Sequence, residues 1–217
     1  MVKTLPVIRQ YFPELTEEQL QQLALLEESL RLWNERINLV SRKDVDNLEV
    51  NHLLHSLTIY KLVHFERGTK VLDVGTGGGL PGLPLAILHP EAEFVLIDRI
   101  GKKVEAVKAM ALKLGLRNVQ ALQIHARDIQ GPFDFIVSRA VTRLPEFKQW
   151  VKGKISAVNK NAIANGILYL KGGEVEFELK EVRWPATVYD LSKAFHEPWF
   201  ETKKLIHLRD PAAMKWK

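Results

Sequence analysis

The chain of 217 residues contains no cysteine, which excludes a disulfide framework, a thiolate metal cage and a cysteine nucleophile. It also lacks any apolar run near the roughly 20 residues needed to cross a bilayer. The start, Met1-Val2-Lys3-Thr4-Leu5-Pro6, has no signal-peptide apolar stretch. A cytoplasmic protein with no membrane partner is therefore expected. Internal repeats and low-complexity segments are missing too. What is present is the balance of a packed protein, 46% hydrophobic and 26% charged. The length holds one α/β domain with an extension, not two full-sized enzymes.

The net charge of +5 is unevenly spread. Residues 1–60 carry 6 Lys/Arg against 9 Asp/Glu, whereas residues 61–217 carry 25 against 17. Basic clusters attract phosphate backbones through Coulomb attraction and counterion release, which suits a polyanionic partner. Ordinary solvated lysine-rich helix faces explain the same count equally well.

Leu20, Leu23, Leu26, Leu30, Trp33 and Ile37 recur at helical spacing after the capping pair Thr16 and Gln19, predicting one long helix over 16–40. A second is expected over 47–63. Glu66-Arg67-Gly68-Thr69 then breaks the pattern, dividing a helical extension (1–64) from the main domain (65–217). Beyond it, β-rich runs alternate with helical ones, as in a parallel sheet with crossover helices. Strands are expected over 70–74, 93–97, 119–124, 133–138 and 167–170, with 187–191 and 204–208 as a closing hairpin. Helices are expected over 81–88, 102–114, 144–151 and 174–181.

The decisive segment is Val71-Leu72-Asp73-Val74-Gly75-Thr76-Gly77-Gly78-Gly79-Leu80-Pro81-Gly82. A buried strand enters a glycine-rich turn that lets a ligand approach the main chain, and a helix follows. Counted from Gly75, the dinucleotide pattern GxGxxG fails at Leu80; counted from Gly77 it holds, but starts two residues past the strand. Asp-x-Gly-x-Gly-x-Gly, Asp73 to Gly79, fits without a shift. That form resembles the first motif of class I methyltransferases, whose loop cradles the amino-acid part and ribose of S-adenosylmethionine.

The second strand ends in Asp98, roughly 20 residues past the glycines, where an acid would meet ribose hydroxyls. A helix cap is its other reading, and Arg99 keeps a nicotinamide oxidoreductase open. His125-Ala126-Arg127-Asp128 forms a loop at the sheet edge where an adenine would lie. Arg139, at the end of the fourth strand, is the candidate catalytic residue. Its guanidinium suits a phosphate, a guanine O6 or the cofactor carboxylate. Lys171 points at the cleft edge. His52 and His55, with no third ligand apparent, read as packed side chains rather than a metal site.

Acceptor chemistry narrows further. Pyrimidine C5 attack needs a covalent cysteine. Adenine amino methylation is associated with an Asn/Asp-Pro-Pro-aromatic element after the fourth strand, where Ser138-Arg139-Ala140-Val141 stands instead. Guanine N7 carries an in-plane lone pair and needs positioning but no general base, so a site without one permits it without requiring it.

Taken together, Asn38-Leu39-Val40 with Asp44, His52 through Ser56, the run from Asp73 to Gly82, the segment from Asp98 to Lys103, Ser138-Arg139-Ala140 and Leu170-Lys171-Gly172 resemble the bacterial ribosomal small-subunit methyltransferase G family, also known as glucose-inhibited division protein B. The resemblance covers nearly the whole chain. It implies N7 methylation of a guanine in the 530 loop of 16S ribosomal RNA with S-adenosylmethionine as donor. By position, Gly75, Leu80, Ala126, Arg127 and Arg139 are its cofactor contacts; Asp73, Gly77 and Asp98 join them from the loop and ribose arguments. His55 departs from the family's usual Asp, and Arg127 from its usual acid.

The expected fold is thus a Rossmann-like class I S-adenosylmethionine-dependent methyltransferase sheet with helices on both faces and an N-terminal helical extension. It is expected to act as a monomer on 16S ribosomal RNA or the small ribosomal subunit, without a metal. Arg143, Lys148, Lys152, Lys154, Lys160, Lys203, Lys204, Arg209 and the Lys215-Trp216-Lys217 tail are the candidates for RNA backbone contacts.

Overall fold

The computed structural model describes residues 4–139 and 141–214, the side chain of Arg42 apart. Among the described residues seven strands form one sheet in the order β3-β2-β1-β4-β5-β7-β6. β1 (Lys70–Val74), β2 (Glu93–Asp98), β3 (Val119–Gln123), β4 (Phe135–Arg139) and β5 (Gly166–Gly172) run parallel. β7 (Lys203–Leu208) inserts antiparallel between β5 and β6 (Ala186–Asp190). The order reverses between β1 and β4, so the chains leaving them diverge to opposite faces and open a crevice at the carboxyl ends of the strands.

Period-two alternation assigns the two faces. Val71, Leu96, Phe135, Val137 and Leu168 enter one apolar cluster; Leu72, Val74, Ile97, Ile136 and Tyr169 enter the other. The second face is covered by α6 (Leu144–Val151) and α7 (Glu176–Val182), which bury Phe147, Val151 and Val182. On the first lie α4 (Gly82–Leu88), α5 (Gly101–Lys113) and the N-terminal helices α1 (Pro6–Tyr11), α2 (Glu17–Asn34) and α3 (His55–Leu62). Ile8, Leu23, Leu26, Leu30 and Leu57 belong to the same cluster as the sheet residues. The extension has no core of its own.

Three features of this extension differ from the periodicity reading. α1 is too short to show a pattern; Glu49 Oε1 accepts from the otherwise orphaned Val7 and Ile8 amides at 2.8 and 3.0 Å. α2 starts with the expected capping box of Thr16 and Gln19, worth about 1 kcal/mol. It stops at Asn34, not at 40, because Asn34 Oδ1 takes the Leu39 and Val40 amides (2.8 and 3.0 Å) and turns the chain. The second helix is split: a 3-10 turn (Arg42–Asn47) and a wide π turn (Glu49–Leu54) precede α3. No described helix is long and apolar enough to cross a membrane.

Candidate active site at the carboxyl ends of the strands

The glycine loop needs its glycines for different reasons. Gly75 sits at φ +68°, and a Cβ there would lie 2.6 Å from a Val141 methyl. At Gly82 a Cβ would stand 2.7 Å from Asp73 Oδ2. That oxygen accepts from Thr76 Oγ1 (2.6 Å) and Gly82 N (2.9 Å), tying the two ends of the turn together from beneath. Burial pushes the Asp73 carboxyl up to about 7, against those two hydrogen bonds. Asp73 was expected to touch the cofactor. The structure places it behind the loop, fully buried and outside the cavity lining.

A cavity of about 660 Å³ opens above the loop, within the range of small-molecule pockets. Gly75, Gly77, Leu80, Asp98, Ala126 and Arg139 all line it. Asp98 also caps and clamps: Oδ2 accepts from Gly77 N (3.0 Å) and Oδ1 from Ile100 N (2.9 Å). Each oxygen can accept a second hydrogen bond, and Asp98 lines the cavity. Past Asp98, Ile100, Ile124 and Trp150 form an apolar slot suited to a planar ring. Arg127 is exposed and outside the lining; its amide donates to His125 Nδ1 (3.0 Å).

Leu39, which the sequence reading did not single out as a cavity residue, roofs the loop. A Cβ on Gly78 would meet Leu30 at 2.9 Å and Leu39 at 3.2 Å, so the extension packs directly on the turn. Trp150 was missed as well, because its role depends on where α6 crosses the sheet.

The opposite wall centres on Arg139. Its Nη1 donates to His52 Nδ1 at 2.7 Å. Arginine has no acceptor, so His52 must be neutral with its proton on Nε2. Burial, reinforced by Arg139, lowers the His52 pKa to about 3. Nε2 faces Asp44 Oδ2 at 3.8 Å, too long for a hydrogen bond but near enough for the carboxylate to favour that tautomer. Asp44 Oδ1 is held in turn by Asn51 Nδ2 (3.1 Å). Burial lowers the Arg139 pKa to about 10, opposed by Asp73 and Asp44, which leaves it charged at neutral pH. Among the described residues no carboxylate pairs with it directly. The cation is therefore positioned by a neutral partner and left available to the cavity.

His55 packs edge-on against Trp199 and Phe200, with both ring nitrogens unpartnered and its pKa driven down by burial. Among the described residues no three His, Cys, Asp or Glu converge to hold a metal. Lys171 turns away to Glu178 (2.6 Å). A Tyr-x-x-x-Lys spacing of the kind used by some nicotinamide enzymes occurs at Tyr189 and Lys193, but on the outer strand and the turn after it, outside the cavity.

Most basic residues chosen as RNA contacts are engaged within the fold. Arg143 pairs with Glu181 and Lys204 with Glu176. Lys148, Lys154 and Lys160 donate to main-chain carbonyls. Lys203 lies over Trp199 at 4.1 Å and Arg209 bonds Thr187. Lys152 is exposed. The Lys215-Trp216-Lys217 tail lies outside the described residues.

Sheet order, glycine turn and the acid ending β2 together define a class I S-adenosylmethionine-dependent methyltransferase. Solved structures share the fold. A SAM-dependent methyltransferase from Aquifex aeolicus superposes with a TM-score of 0.58 at 16% identity, covering 84% of this chain and 97% of that one. A mutant of MtNAS in complex with S-adenosylmethionine gives 0.59 at 14%, covering 95% and 78%. Sequence carries the finer assignment. The family profile described as rRNA small subunit methyltransferase G matches residues 19–201. Proteins named ribosomal RNA small subunit methyltransferase G are 54% identical in Flavobacterium johnsoniae, over 93% of this chain and 96% of the relative, and 47% in Bacteroides thetaiotaomicron, over 93% and 98%. The chain belongs to the rRNA small subunit methyltransferase G family.

Proposed function

We propose that this protein methylates N7 of a guanine in the 530 loop of 16S ribosomal RNA, as a cytoplasmic monomer acting on the RNA or the small subunit, with residues 1–64 shaping one side of the site. The observation that carries the acceptor choice is a cationic wall without a base. Among the described residues lining the cavity, the carboxylate and imidazole able to take a proton are Asp98 and His125, which follow β2 and β3, whereas Arg139 ends β4 on the other side of β1. S-adenosylmethionine supplies an electrophilic methyl on a good leaving group, so the protein chiefly has to align donor and acceptor. An in-plane N7 lone pair needs no proton removed.

Each wall has a role in this reading. Gly75, Gly77 and Leu80 hold the amino-acid part against the backbone, Asp98 takes the ribose hydroxyls, and the slot at Ala126 takes the adenine. Arg139 pairs with the donor's carboxylate. That pairing neutralises the guanidinium while the methylated guanine becomes cationic, so the two like charges do not face each other bare. Asp73 acts through the loop it ties, and Arg127 through its backbone position.

The test is direct. The protein is incubated with methyl-labelled cofactor and small-subunit RNA from cells lacking it, and N7-methylguanine is mapped by chain cleavage. One labelled guanine in the 530 loop is expected; label elsewhere, or on another atom, overturns the assignment.

A further inference from the structure

Most of the cations free to meet RNA are not among those chosen from the sequence alone. Arg99, Lys102, Lys103, Lys108 and Lys113 make no ion pair or side-chain hydrogen bond among the described residues, and they cluster on α5 and the turn leading into it. Arg99 and Lys103 line the cavity itself. From there α5 runs about 20 Å at 1.5 Å per residue.

Beside α5 lies α2, in the opposite sense. Gln22 bonds the Leu114 carbonyl (2.9 Å) at one end, and the chain leaving α2 delivers Leu39 to the cavity at the other. Between them is a groove of about 220 Å³ lined by Leu32, Trp33, Arg36, Ala109, Met110 and Lys113, with Ser29 at its base. Its apolar part is open, with Leu32 48% exposed. Arg36 sits over the Trp33 ring at 5.8 Å. Of the groove's lining side chains two are cationic, Arg36 and Lys113, and none is acidic.

We propose that this groove is a docking track for a single-stranded segment of the RNA substrate, leading from Trp33 to the cavity mouth. Arg36, Lys102 and Lys113 meet phosphates, and the Trp33 indole with its Leu32 neighbour stacks a base. Aromatic faces bordered by cations are how proteins hold unpaired strands without reading their sequence. The inference rests on the RNA-methyltransferase reading above. It commits to RNA over a protein segment because the groove is small and its rim is cationic.

The experiment compares two triple variants of the full chain with the same charge change: R36E/K102E/K113E on the track and K61E/K180E/K193E away from it. For each, S-adenosylhomocysteine binding is measured by calorimetry and binding of a small-subunit RNA fragment is measured across salt concentrations. The track variant should keep cofactor affinity, lose at least about tenfold in RNA affinity and flatten the salt slope by about 2, as expected for three lost single-strand phosphate contacts. The distant variant should change less than about twofold. Trp33→Ala should weaken RNA about tenfold with the slope unchanged. Equal losses in both triples, or a track variant that binds RNA like the parent, overturns the track. A parent protein that binds the cofactor but methylates no ribosomal RNA defeats the underlying function instead, so the two failures are told apart.

Discussion

The two walls of the cavity are built by different means. The glycine wall is main chain: Asp73 reaches only as far as Thr76 and Gly82, and β2 holds the turn through Asp98 to Gly77 N and through the Ile97 carbonyl to Thr76 N (3.0 Å). The Arg139 wall is side chain, and its support comes from the extension, with His52 lying 87 residues before Arg139. A wall of backbone leaves little room for substitution, because a Cβ added at Gly75, Gly78, Gly79 or Gly82 would lie within 3.0 Å of a neighbouring side chain. A wall of side chains tolerates a replacement that supplies the same hydrogen bonds in the same geometry.

That contrast is sharpest at Gly75. Gly75→Val places branched carbon where Val141 already sits and at a φ that β-branched residues avoid, so S-adenosylhomocysteine binding should fall at least about 100-fold. Calorimetry decides it; near-parental affinity would mean the turn is not the cofactor wall. Next comes Arg139→Ala, which removes a charge-assisted contact and should cut kcat/KM about 100-fold with little loss of thermal stability. Arg139→Lys should not restore it, since a lysine lacks the planar fork.

Graded behaviour should show at His52. His52→Phe frees the guanidinium, with an expected loss of about tenfold in cofactor affinity. His52→Gln, whose amide oxygen accepts as Nδ1 does, should recover most of it. Equal affinities for Phe and Gln would reduce His52 to packing.

The mildest probe is pH. His52, His89 and His207 are held at about 3, 4 and 4 by burial, and His55 is also depressed. Between those values and the unfolded value near 6.5 the unfolded chain binds protons that the folded one refuses. Their contribution is complete above pH 6.5 and lost as pH falls toward 4. Asp73 works in the opposite direction, since its folded carboxyl keeps a proton up to about 7; it favours folding at low pH and loses that contribution as pH rises from 4 to 7. Four imidazoles against one carboxyl predict a Tm that drops on acidification from pH 7 to 5. Asp73→Asn should steepen the drop by removing the opposing group. A flat profile would show that these imidazoles titrate freely.

The sequence reading located the sheet to within a residue or two at most strands, because period-two alternation and glycine punctuation are local signals. It failed where a side chain redirected the backbone. Asn34 ended α2 early by taking two amides, and the wide turn before α3 rephased the residues around His52. Lysine counts misled for a similar reason: whether Lys148 or Lys154 is free depends on carbonyls that only folding brings near.

From the residues alone came the strand-glycine-helix unit and the acid at Asp98, which depend on short spacings, and the family, through a resemblance of motifs along nearly the whole chain. Tertiary structure alone decided that Asp73 lies behind the loop, that Leu39 roofs it and that His52 holds Arg139. Those facts turn on which distant segments meet across one buried cluster. Packing density and desolvation settle such meetings, and neither is encoded at any single position.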